Sequence, residues 1–237
     1  MTGRSDSPAP AASSLPADSP APVGPTGAGD DGATGCPHRA GSPPWLLDGT
    51  VPGEPTALVI GHGGGRLDRL GRWFGHARWV EQRLFEVVGG WSGTEQCPDV
   101  SALCSVVAQQ AARHAEGFAD RLPVLATVDP DQLTVPPPGW SGALEALAAS
   151  TGTSARLVGL GRVVASRLTV GYAQWLAVAG PAEAAARSAV REAFGDWRAA
   201  WTVLEAVLLD HTRPEDGPAL AQQQAALAAE LPPTATW

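Results

Sequence analysis

The sequence predicts an all-α fold, a four-helix bundle behind a long N-terminal tail, and three observations carry that prediction. Four stretches of roughly 20-odd residues repeat their apolar positions at the spacing of one helical face. No stretch shows the sustained alternation of a half-buried strand. Glycine and proline fall between the helical stretches, at Gly89-Gly90, Pro123 and Gly180-Pro181, where they act as stops.

Residues 1–55 are dominated by Pro, Ala, Ser, Gly and Asp, as in SDSPAPAASSLPADSPAPVGPTGAGDDGATG. Such a composition buries too little apolar surface to offset the entropy of ordering, so a disordered tail is expected. Residues 56–237 then form the helical bundle, ending in a peripheral helix. The stretch ALVIGHGGG, Ala57–Gly65, has neither the spaced GxGxxG nor the GK[ST] of a phosphate loop and is read as a lead-in turn. Helix A is expected over Arg66–Val88, stopped by Gly89-Gly90. Helix B is expected from Pro98 or Asp99 to Arg121, its aspartate favourable at the positive end of the helix dipole. A long connection, VLATVDPDQLTVPPPGW, should cross the bundle. Helix C follows, with a short piece over Gly142–Ala149 and a main part over Ser154–Ala179. Helix D starts at Pro181 and runs to about Asp210, and Ala219–Leu231 supplies the peripheral helix.

Composition narrows the function classes. The chain of 237 residues carries a formal charge of -8 and no basic run, which argues against a nucleic-acid partner. It contains no lysine, which excludes a Schiff-base lysine and the lysine of a P-loop. No stretch approaches the roughly 18 apolar residues of a spanning helix, and no apolar leader follows Met1, so a cytoplasmic protein without membrane contact is expected. Cys36, Cys97 and Cys104 are too few and scattered for a disulfide framework. Cys104 is expected as a buried apolar residue.

The polar residues that fall on apolar faces are the candidate site. Along helix A the seam reads Leu67, Leu70, Phe74, Ala77, Glu81, Leu84 and Val88, with Glu81 near its centre. The helix B stripe reads Leu103, Val107, Gln110, His114 and Gly117 or Phe118, so Gln110 and His114 share a face one turn apart. Helix C presents Leu157, Leu160, Gly161, Val164, Leu168 and Trp175, with Tyr172 on its flank. Helix D presents Val190, Phe194, Trp197, Trp201, Leu204 and Leu208, with Glu192 and Asp196 outward. Trp175, Trp197 and Trp201 are read as core. A buried carboxylate beside a histidine is costly unless each partners the other, a ligand or a metal. Arg121, at the end of helix B, is a second possible partner for Glu81.

The segments RWVEQRLFEVVGGW and QQAARHAEGFADRLPVL, followed by VDPDQL, resemble the ferritin-like superfamily, and within it a group of actinobacterial proteins of unassigned role. The resemblance covers residues 66–210. It implies a four-helix bundle with its long connection between the second and third helices. Di-iron members carry one Glu on each of two helices and Glu-x-x-His on each of the other two. By that resemblance Glu81 takes the place of the first-helix Glu and His114 that of the second-helix His, but Ala111 stands where its Glu partner belongs. Helix C supplies no inward carboxylate, and Glu205 and His211 of helix D are at the wrong spacing. No cofactor, or a single metal ion on Glu81 and His114, is therefore expected in place of a di-iron centre.

Three functions compete. In the first, Glu81 and His114 are a catalytic acid–base pair acting on a small organic molecule in the bundle core, with Gln110 orienting it. In the second, the chain is a non-catalytic interaction or structural module whose polar cluster enforces helix register. The third is a metal-dependent oxidase. The expected partners are the small molecule in the core and a second copy of the chain in a homodimer.

Overall fold

A computed structural model describes residues 65–122 and 129–232, and every regular element among them is helical. The N-terminal tail with Cys36 and the start of the long connection lie outside the described residues.

The first long helix, α1, spans Arg66–Ser92 and runs straight through Gly89-Gly90. The expected stop is overridden by packing. Val87, Val88 and Trp91 are buried beyond or beside the glycines, and the Arg156 guanidinium lies 5.5 Å from the Trp91 ring. Burying a tryptophan outweighs the modest helix penalty of two glycines. Helix α2 spans Pro98–Ala119, with Pro98 and Asp99 in its first turn as predicted. Its buried stripe is Val100, Cys104, Val107, Ala111, His114 and Phe118, flanked by Ala108 and Ala115. These small residues let α1 and α2 approach closely.

The described part of the long connection crosses α1, as expected. A short turn of helix, α3 (Pro130–Leu133), places Leu133 against α1 at Gly75. A Cβ at Gly75 would overlap the Leu133 carbonyl oxygen, so only glycine fits there. His76 Nδ1 donates to the Val135 carbonyl at 2.8 Å, and Arg78 reaches Thr134 Oγ1 at 3.2 Å. Gly139 then turns the chain at φ +79°, a left-handed conformation suited to glycine, into α4 (Trp140–Ala148).

The third long rod is composite. It begins as α5 (Thr153–Leu157), passes through a π-helical stretch at Val158–Ala165 and continues as α6 (Ser166–Val178). After a short turn at Pro181–Glu183, α7 runs over Ala184–His211. The terminal α8 (Gly217–Glu230) packs on α4 and on the π-helical stretch. The core is continuous from Trp73 and Trp175 at one end to Leu204 and Leu208 at the other. No helix among the described residues is long and apolar enough to cross a membrane.

The two kinds of glycine in α1 separate by substitution. Gly75→Ala should lower unfolding free energy by about 1–3 kcal/mol through overpacking. Gly90→Ala, with nothing within 4 Å of an added Cβ, should raise it by about 0.5–1 kcal/mol through helix propensity. Urea denaturation at equal protein concentration checks both signs.

Candidate functional site

Glu81 occupies the place its spacing predicts. Phe74, Ala77, Leu84 and Val88 recur around it at helical intervals, and all are fully buried. With the seam fixed by those apolar residues, the carboxylate has nowhere to go but inward, and it exposes none of its surface.

Three other segments answer the charge. Glu81 Oε1 accepts a hydrogen bond from the Tyr172 hydroxyl at 2.6 Å, from α6. The same oxygen accepts from the Trp197 indole N–H at 2.8 Å, from α7. Glu81 Oε2 faces His114 Nδ1 of α2 at 3.5 Å, and neither of these two buried atoms makes a hydrogen bond. On the far side of the ring, His114 Nε2 lies 3.1 Å from Asp196 Oδ2. That oxygen also accepts from Arg113 Nη2 at 2.8 Å, where the side chains emerge at the surface. Glu192 flanks the same guanidinium at 3.6 Å.

The arrangement defines the state of His114. Nε2 has Asp196 as its hydrogen-bond partner and Nδ1 faces the Glu81 carboxylate, so negative charge stands on both sides of the ring and favours the imidazolium. Burial opposes that charge, but the Glu81 carboxylate and then Asp196 outweigh it and hold the His114 pKa above its ordinary value. Tyr172 remains a phenol: burial and then the adjacent Glu81 carboxylate keep its pKa well above the usual tyrosine range. The result is a polar chain from a fully enclosed carboxylate, through the His114 ring, to an aspartate and arginine at the surface.

The sequence reading is corrected at five residues. Gln110 is half-buried and makes no hydrogen bond to Glu81 or His114. The inward line of α2 passes through Val107 and Ala111, so choosing the larger side chains as the seam placed Gln110 too near its centre. Tyr172 is not a flanking residue but a direct partner of Glu81. Within α6, Leu168, Tyr172 and Trp175 lie at i, i+4 and i+7, so Tyr172 shares their buried face. Asp196, expected to point outward, is drawn to His114. Trp201, expected in the core, is 36% exposed. Arg121 lies beyond the end of α2 and is exposed, so it is no partner for Glu81.

The donor set does not fit a di-iron centre. Glu81 Oε1 is already taken by a phenol and an indole, Ala111 stands one turn from His114, and Glu205 is paired instead with Arg162 Nε at 3.0 Å. Among the described residues no group of three or more His, Cys, Asp or Glu side chains could hold a metal ion. Two surface grooves, of about 300 and 160 Å³, lie along α8, and neither is lined by Glu81, Gln110 or His114.

Among the described residues no cysteine offers a nucleophile near this cluster. Burial, then the Glu95 carboxylate, push the Cys104 thiol up to about 11, against a smaller opposing effect of Arg156. Cys97 is disulfide-bonded, whereas the cysteine count gave no reason to expect a disulfide framework.

The polar chain predicts a pH dependence of stability. His114 binds its proton more tightly folded than unfolded, so its contribution is complete below about pH 6.5, the unfolded value. It is lost as pH rises through the raised folded-state pKa. Urea midpoints should fall through that window in the wild-type chain, and His114→Gln should abolish this part of the slope. Against known proteins, the chain matches no protein family, no curated protein and no solved structure.

Proposed function

We propose that the chain is a non-catalytic helical module of ferritin-like, four-helix-bundle architecture, in which the Glu81–His114–Asp196 cluster fixes how the helices register. The single observation that carries this reading is the complete enclosure of Glu81. Side chains from α2, α6 and α7 occupy the space around its carboxylate, and the surface grooves lie elsewhere. A buried polar group that must meet three partners penalises every packing that separates them, which is how polar cores select one arrangement. Exposed apolar side chains on α1, α2 and α7, among them Phe85, Val106, Val203 and Leu209, supply surface for a protein partner, a second copy of the chain included.

A second reading, the small-molecule enzyme, draws on one specific observation. Glu81 Oε2 and His114 Nδ1 face each other without a hydrogen bond, and Asp196 links the histidine to the surface. A proton could travel along that line to a substrate admitted between α1 and α2. This reading requires the helices to part. A single metal ion would have the same two atoms as its ligands and would need further ligands from outside the described residues.

Replacing both partners distinguishes the readings. Glu81→Leu or His114→Leu alone strands a buried charge and should cost about 3–5 kcal/mol, whereas the double variant should recover most of that loss. On the module reading, the double variant keeps the wild-type helix content and the wild-type sedimentation behaviour. The proposal fails if a metabolite or metal raises the melting temperature of the wild-type chain and leaves the double variant unmoved.

A further inference from the structure

The aromatic residues above Glu81 form a connected path. Trp175 and Trp73 stack with ring centroids 5.0 Å apart and planes inclined by 29°. Trp73 meets Tyr172 at 6.0 Å. Trp73 and Trp175 keep narrow edges at the surface, 8% and 9% exposed, while Tyr172 is fully buried. Packing accounts for rings at these separations. At the end of the path the phenol sits 2.6 Å from a carboxylate that is itself fully enclosed, a contact that satisfies the buried charge and also places a base on the phenol proton. Tyr172 is, moreover, the only tyrosine in the chain.

Indole and phenol are among the side chains most readily oxidised by one electron. A phenol that loses an electron becomes a strong acid and must release its proton at once. In a dry core that release needs a base already within hydrogen-bond reach, and Glu81 Oε1 occupies that position. Rings in near contact pass electrons without moving.

We propose that Trp175, Trp73 and Tyr172 form a one-electron relay that carries oxidising equivalents from the protein surface to Tyr172, with Glu81 taking up the phenol proton. A diffusible one-electron oxidant removes an electron from Trp175 and leaves its radical cation. Trp73 returns an electron to Trp175, and Tyr172 returns one to Trp73. The Tyr172 O–H bond breaks, its electron going to Trp73 and its proton to Glu81 Oε1. The net result is one electron delivered to the oxidant, one protonated carboxyl and one neutral phenoxyl radical. A one-electron reductant of the thiol or ascorbate class restores the phenolate charge, and the proton returns from Glu81. The relay is a sink for oxidising radicals, and it holds whether or not the module reading does.

Pulse radiolysis of the full chain with azide radical, which oxidises indoles by one electron, tests the relay. Transient absorption separates indolyl from phenoxyl, and with one tyrosine present any phenoxyl signal belongs to Tyr172. The expected result is indolyl decay matched by phenoxyl growth at a rate that does not change with protein concentration. Trp73→Phe should lose the phenoxyl signal, while Trp201→Phe, exposed and off the path, should retain it. Glu81→Gln keeps an acceptor atom but cannot take the proton, and should slow phenoxyl growth. Absence of phenoxyl in the wild-type chain, or growth proportional to protein concentration, overturns the relay without recourse to any variant. A folded Trp73→Phe chain with undiminished phenoxyl overturns it as well.

Discussion

A carboxylate with no exposed surface has lost its hydration, and everything that compensates it must come from the chain itself. At Glu81 the compensation is a phenol, an indole and the His114 ring, drawn from α6, α7 and α2. The other core contacts tolerate a slipped turn or a changed side chain at modest cost. This one does not, because moving any of three helices strands a charge or a donor. The rest of the core is arranged to permit it: alanines and small residues on α2 bring the His114 ring within reach, and Gly75 lets α3 lie flat against α1.

The legible part of the fold was the part governed by local period. Phe74, Ala77, Leu84 and Val88 announce the α1 seam, and Glu81 is found by exception to it. His114 is found in the same way on α2. Helix ends were legible where proline sets them, as at Pro98, and illegible where tertiary packing overrides a glycine pair, as at Gly89-Gly90. The partners of Glu81 were harder to read. Tyr172 lies one turn after Leu168 and three residues before Trp175, a spacing that marks its face but does not say which distant carboxylate its hydroxyl meets. Asp196 is hidden by distance. Nothing local marks an aspartate on a surface turn as the partner of a histidine 82 residues earlier.

The surroundings of the Glu81 carboxylate are donors that satisfy an anion, not ligands that share a cation. The Tyr172 hydroxyl and the Trp197 indole N–H both point at one of its oxygens, and the His114 ring faces the other.

Asp196 Oδ2 is shared between Arg113, which emerges into solvent, and His114, which does not. Whatever weakens the outer contact changes how much negative charge the ring feels. Dissolved ions, which penetrate no further than Arg113, thus acquire leverage over a proton held well inside the molecule. The ionic strength of the surrounding medium becomes an input to the core, transmitted by one oxygen atom that answers to both.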